Sequence, residues 1–204
     1  MEADWSAEIA PGLPEIIVPW SAEPLAEDPT HASGETIAWC DLRHAGHHLE
    51  AAIQSIPSAA AEPALAAALR TLHSPGSSWF TSKCDLWTTT PADPDSPDPY
   101  EFDAADLAPA PLHLCASYID MLATDPALFA SFAAHKALLD TLVAALRAQP
   151  QPHARVDLVL RAARIDNSPG FAVTAYAAGC GLTAADAHRA WQLALDRLIA
   201  ALHS

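Results

Sequence analysis

The sequence predicts an α+β fold in which helices pack on one face of a mostly antiparallel sheet. Segments rich in aromatic and β-branched residues change polarity at every second position, which is typical of strands. Longer segments repeat apolar residues three and four positions apart, which is typical of amphipathic helices. The two kinds of segment are interspersed along the chain, and this order favours helices that cover one face of a sheet.

The predicted elements run strand, helices, strand, strand, helix, strand, strand, helix. We expect strands at 35–43, 78–90, 112–123, 154–165 and 171–180. The first six elements have the β-α-β-β-α-β order of a ferredoxin-like core, to which an extra strand and a C-terminal helix are added. A long helix is expected over 125–148, and Thr183 with Asp186 predicts a capping box at the start of the last helix. The turn sequence at 166–170 predicts a hairpin between the last two strands.

Two acidic, proline-rich segments divide the chain into an arm, a domain and an insertion. Residues 1–34 hold seven acids and five prolines without Lys or Arg, which predicts an N-terminal arm whose apolar piece at 15–20 could dock as an edge strand. Residues 91–111 hold six acids without Lys or Arg, which predicts a loop, either solvated or closing over a site as a lid. We expect one α+β domain over 35–204.

Charge and composition narrow the class of partner and the location. The formal charge is −15, but 13 of the 25 acids lie in those two segments, and the remaining 12 acids nearly balance 10 bases. The sequence lacks the concentrated basic stripe that binding to nucleic acid needs, so a nucleic-acid partner is not expected. No apolar run approaches the roughly 20 residues of a membrane helix. The N-terminus lacks an export signal, so we expect a cytoplasmic protein. Its four cysteines form no C-x-x-C pair and are expected as reduced core thiols.

Strand alternation predicts which side chains point away from the helices. In 78–90 we expect Phe80, Cys84 and Leu86 toward the helices and Trp79 and Thr81 away from them. We call the surface turned away from the helices the far face. Its candidate ligand or interface residues are Trp39, Asp41, Lys83, Asp85, Trp87, Tyr118, Asp120, Asp157 and Arg161, and Arg43 is expected beside them.

Aromatic rings interleaved with charges are typical of binding surfaces, because rings bury a large area at low entropy cost. We therefore expect an intracellular binding domain that forms a homodimer through the far face and encloses a small-ligand pocket there. The alternative hypothesis is a metal-dependent enzyme with an aspartate-lined site on the same face. A third hypothesis is a scaffold whose acidic arm and loop bind a basic partner.

The sequence gives no specific support for catalysis or for a bound cofactor or metal. None of the four strand aspartates, Asp41, Asp85, Asp120 and Asp157, is followed two positions later by a second aspartate, so paired carboxylates would have to come from different strands. Alternation separates Cys40 from Asp41, and His44 with His48 forms at most a two-histidine site without an evident third ligand. We expect these histidines to begin a helix. No nucleophile elbow or complete phosphate loop is present, and no catalytic residue is assigned.

Overall fold

The computed structural model describes residues 1–18, 42–44, 46–90, 112–149 and 151–203. Most of the strand predicted at 35–43 lies outside these residues, and so do Trp39, Cys40 and Asp41. The predicted acidic loop at 91–111 lies outside them as well. The last residues of the predicted strand are not extended, because Leu42–His44 form a short 3₁₀ helix.

In the described residues, six strands form a single mixed sheet. They are β1 Glu2–Glu8, β2 Ile16–Val18, β3 Trp79–Thr89, β4 His113–Ala123, β5 Ala154–Ile165 and β6 Ser168–Gly181. The strand order is β1-β5-β6-β4-β3, and β2 follows β1 along the same edge of β5. β1 and β2 run parallel to β5, while the other neighbours are antiparallel.

The prediction of a mostly antiparallel sheet is wrong, because the chain's first residues add parallel strands. β1 and β2 both lie within the segment expected to form an arm, and they add two parallel strands to one edge. The apolar piece around Ile16–Val18 does form an edge strand, as its composition predicted. The ferredoxin-like arrangement is not confirmed, because its first predicted strand lies mostly outside the described residues and the antiparallel strands follow the order β3-β4-β6-β5.

Six α-helices accompany the sheet within the described part of the chain. They are α1 Leu49–Gln54, α2 Pro57–Ala61, α3 Pro63–Leu72, α4 Pro126–Phe129, α5 Phe132–Arg147 and α6 Ala184–Leu202. The helix predicted over 125–148 is divided in two, because the Ser131 side chain caps a new helix by accepting the Ala134 N–H at 3.2 Å. Thr183 is the N-cap of α6, as the capping-box-like sequence predicted, since the Asp186 N–H donates to Thr183 Oγ1 at 3.1 Å. None of these helices is long and apolar enough to cross a membrane.

The hairpin prediction is confirmed with a tighter turn than the sequence suggested. Ile165 and Ser168 are partners at the end of the β5–β6 ladder, which leaves only Asp166 and Asn167 in the loop. Both have positive φ, 46° and 71°, as a two-residue turn that follows the right-handed strand twist requires. Asp and Asn tolerate this conformation better than most residues.

Most of the core lies between the helices and one face of the sheet, and a smaller part, with Phe80, Leu122 and Ala172, lies on the opposite face. On β5, Val156, Leu158 and Leu160 are fully buried on the helix-covered face, and Trp191 of α6 packs against the same face. α6 lies close to β6 because Gly179 has no side chain. A Cβ at that position would lie 2.1 Å from the Trp191 backbone nitrogen. The helices therefore cover one side of the sheet and define the far face as its opposite side.

Candidate functional site

A β-bulge in β3 decides which of its side chains reach the far face. The register between β3 and β4 shifts between Thr81 and Lys83, so Ser82 is an extra residue without a partner on β4. One extra residue exchanges the two faces of a strand. The predicted faces are therefore correct for the residues that follow the bulge. Lys83, Asp85 and Trp87 lie on the far face, and Cys84 and Leu86 lie on the opposite face.

Before the bulge the predicted faces are wrong. Trp79 was expected on the far face, but it is only 3% exposed and its ring lies 6.4 Å from that of His135 in the core. Thr81 shares the helix-covered face, where His73 Nε2 lies 2.8 Å from its hydroxyl. Phe80 takes the far face instead, and the Arg43 guanidinium lies 5.5 Å from its ring centroid.

Three aromatic rings cross the far face in a line. Trp87, Tyr118 and Tyr176 come from β3, β4 and β6, with ring centroids 6.5 Å apart for the first pair and 6.2 Å apart for the second. We call these three residues the aromatic row. The small residues Ala116 and Ala178 lie on the same face and are fully buried, and Trp87 packs against their cluster. Burial, followed by the nearby carboxylates, raises the pKa of Tyr118 to about 12.

A buried acid lies beside the aromatic row and belongs to a chain of hydrogen bonds. Thr174 Oγ1 donates to Asp120 Oδ1 at 2.6 Å and accepts from Arg161 Nε at 3.0 Å. Arg161 Nη1 in turn donates to Glu8 Oε2 at 2.6 Å. Burial raises the pKa of Asp120, while the Thr174 hydrogen bond and the positive charges of Lys83 and Arg161 oppose that rise.

Asp157 and Asp85, the other two described aspartates that the sequence placed on the far face, are each held by a different partner. Arg155 donates to both carboxylate oxygens of Asp157, at 2.7 and 2.9 Å, which is the bidentate geometry of a strong ion pair. Asp85 Oδ1 accepts the Ser58 hydroxyl at 2.5 Å and the Leu86 N–H at 2.8 Å. These two carboxylates are therefore bound within the fold.

The strand register separates these aspartates. Asp85, Tyr118, Tyr176 and Asp157 are successive cross-strand partners, so two tyrosines stand between the two acids. With strands about 4.8 Å apart, the two backbone positions are roughly 14 Å from each other. Two metal ions that share carboxylates lie about 3.5–4 Å apart. Asp85 and Asp157 are thus too far apart to share such ions, and the direct partner of Asp157 on β1, Asp4, faces a carboxylate that is already paired with Arg155. Asp41 lies outside the described residues, so the metal-dependent enzyme hypothesis stays a prediction.

The histidines that follow Asp41 in the sequence begin a helix, as predicted. His47 and His48 lie in the 3₁₀ helix Gly46–His48, and His48 is the residue that precedes α1. Both side chains are exposed, and their rings are 3.8 Å apart. Across the described part of the chain, no group of three His, Cys, Asp or Glu side chains could hold a metal ion.

The far face contains residues that sequence reasoning missed. Thr174 and Tyr176 of β6 lie on it as partners of Asp120 and Tyr118. No face was assigned to this strand, because alanines occupy both of its sides and hide the alternation. The two-residue spacing of the threonine and the tyrosine was the available signal.

No family model, curated protein or solved structure matches this chain. A function for it must therefore be inferred from the chemistry of the far face.

Proposed function

We propose that this chain is a binding domain that associates with a second copy of itself through the far face. The observation that carries the proposal is the aromatic row. Trp87, Tyr118 and Tyr176 lie on three neighbouring strands, are only partly buried in the chain, and pack over alanines. Aromatic side chains are enriched at the centres of interfaces, where they bury a large area and lose few rotamers.

The charges around the aromatic row suit a two-fold contact. In a two-fold dimer each patch meets its own copy, so a face of a single charge would repel itself. The far face carries both signs, and they are distributed unequally. Glu2, Asp4 and Glu8 lie at its β1 side, where Glu2 and Glu8 are partners of Arg155 and Arg161, whereas Lys83 lies near Asp85 at its β3 side. A two-fold axis along β6 would bring the β3 side of one copy toward the acidic β1 side of the other.

Such a dimer would also close over the polar pair beside the rings. Asp120 and Thr174 lie two residues along the ladder from Tyr118 and Tyr176, on the same face. Two copies packed through the aromatic row would enclose these groups, and a small ligand able to donate hydrogen bonds to a carboxylate is the class that this pocket would take.

Sedimentation equilibrium across a wide concentration range tests the proposal. We expect the wild-type chain to reach twice its monomer mass and Trp87→Ala to remain monomeric. Trp5→Ala is the matched control, because Trp5 lies on the opposite face of the same sheet, where its indole N–H donates to Asp140 at 2.8 Å. A wild-type chain that stays monomeric at high concentration, or a Trp87→Ala variant that dimerises like the wild type, would refute it.

A further inference from the structure

The two outer strands of the sheet share an arrangement that neither the aromatic row nor the core explains. In β1, the Trp5 backbone N–H donates to Oδ1 of the preceding residue, Asp4, at 2.8 Å. In β3, the Leu86 backbone N–H donates in the same way to Oδ1 of Asp85, also at 2.8 Å. On each edge, therefore, an aspartate within the strand folds back onto the next backbone N–H.

These hydrogen bonds lie at the edges where the sheet could add further strands. Among the described strands, β1 has neighbours only on its β5 side and β3 only on its β4 side. The backbone groups on an open edge form a ready template for pairing with another chain. An N–H that is bound by an adjacent carboxylate is not offered to an incoming strand.

Each aspartate is fixed by a second element. Asp4 forms an ion pair with Arg147 of α5 at 3.6 Å, and the Arg147 Nε also donates to the Ala3 carbonyl at 2.7 Å. Arg147 thus occupies an acceptor of β1 as well as holding the carboxylate that occupies a donor. On the other edge, the Ser58 hydroxyl of α2 donates to Asp85 at 2.5 Å.

A third contact protects the other end of β3. The Thr81 backbone N–H donates to His73 Nε2 at 3.2 Å. Because Thr81 precedes the bulge and Leu86 follows it, both stretches of β3 have a backbone donor bound by a side chain.

We propose that Asp4 and Asp85 are edge caps, which keep β1 and β3 from pairing with strands of a second copy of this chain. If the caps are removed, either edge should pair with an edge of a second copy. Asp85 thus has a role that does not involve a ligand. This proposal concerns the edges of the sheet and does not depend on whether the far face dimerises.

The test compares removal of the cap with removal of its charge alone. Asp85→Ala and Asp4→Ala take away the acceptor, whereas Asp85→Asn and Asp4→Asn keep an amide oxygen that can accept the same N–H. We expect the alanine variants to show at least a doubling of mean mass over the wild type by light scattering. The asparagine variants should stay at the wild-type mass, although they lose the same charge.

Amide hydrogen exchange measured by NMR gives an independent readout on the folded protein. Exchange at Leu86 in Asp85→Ala, and at Trp5 in Asp4→Ala, should be about two- to tenfold faster than in the wild type, the equivalent of one net hydrogen bond. An alanine variant that exchanges faster and keeps the wild-type mass would overturn the proposal, and so would an asparagine variant that associates as strongly as its alanine counterpart. Trp87→Ala, which tests the far face, should leave amide exchange at Trp5 at the wild-type rate, and adding Asp4→Ala or Asp85→Ala to it should still at least double the mean mass measured for Trp87→Ala alone.

Discussion

Thr174 and Asp120 are cross-strand partners on the neighbouring strands β6 and β4, and the threonine hydroxyl donates a 2.6 Å hydrogen bond to the aspartate carboxylate. Asp120 is only 7% exposed. Burial disfavours the charged form more than the hydrogen bond and the nearby basic groups favour it, so the pKa of Asp120 is raised. The far face thus contains a carboxylate whose ionisation opposes folding.

Replacing this carboxylate with a neutral isostere should stabilise the protein near neutral pH. The folded state binds the Asp120 proton more tightly than the unfolded chain does, so the free energy of unfolding falls as the pH rises from about 3.8 through the folded-state pKa. Asp120→Asn cannot ionise. We expect it to be more stable than the wild type at pH 7 and to match it at pH values below the unfolded pKa, as measured by urea unfolding.

Asp196→Asn is the control for this effect, because Asp196 is an exposed acid on α6. It should follow the wild-type pH profile. The prediction fails if Asp120→Asn is less stable than the wild type at pH 7 by an amount that grows with pH.

His135 should make the protein sensitive to acid. It is fully buried at the start of α5, its Nδ1 lies 3.1 Å from the Ser131 carbonyl oxygen, and its Nε2 is one of two buried polar side-chain atoms in the described residues without a hydrogen-bond partner. Burial lowers the pKa of His135 below 6.5. The unfolded chain therefore takes up this proton first, and the free energy of unfolding declines as the pH falls through 6.5 toward the folded-state pKa.

The variant His135→Gln should remove this part of the pH dependence. Chemical unfolding between pH 5 and 8 measures it, and His47→Gln, at an exposed histidine, should retain the wild-type slope. Equal slopes for the wild type and His135→Gln would show that His135 does not titrate in this range.

The parts of the fold that could be predicted are those set by local periodicity. The apolar stripe of α6 and the β5–β6 hairpin depend on residues close together in the sequence, and both are present. The prolines were misleading at the N-terminus. Pro11 and Pro14 lie in the connection between β1 and β2, where they separate the two strands without preventing either. Composition summed over 1–34 hid that arrangement.

On β3, the residues of the candidate site could be predicted on only one side of the bulge. Alternation placed Lys83, Asp85 and Trp87 on the far face, but nothing in the sequence marks Ser82 as an extra residue in β3. Whether the aspartates meet depends on which strands are neighbours, and that is fixed by long-range packing that alternation does not report. Tyr118 and Tyr176 became neighbours because β6 lies between β4 and β5.

The described cysteines should be poor nucleophiles in the folded protein. Burial raises the pKa of Cys84 and Cys115 to about 12 and that of Cys180 to about 11, so few thiolates are present at pH 8. We expect iodoacetamide to leave these three unmodified under native conditions and to alkylate them in denaturant. Peptide mass spectrometry reports each site separately. Fast native alkylation of Cys115 would contradict the buried environment that the structure gives it.

The link between α6 and the sheet should depend on one buried hydrogen bond. Trp191 Nε1 donates to Ser117 Oγ at 2.8 Å, and both residues are almost completely buried. Ser117→Ala leaves the indole N–H without an acceptor and should cost about 1–3 kcal/mol of unfolding free energy. Trp191→Phe removes the donor but also leaves space, so its cost includes lost packing.

A double-mutant cycle separates the hydrogen bond from the packing. In Ser117→Ala combined with Trp191→Phe neither polar partner remains, so the loss should be smaller than the sum of the single losses by about 0.5–3 kcal/mol. Ser168→Ala, at an exposed position near the start of β6, should add to Trp191→Phe without coupling. Additive losses for Ser117 and Trp191 would mean that the hydrogen bond between them contributes nothing to holding α6 on the sheet.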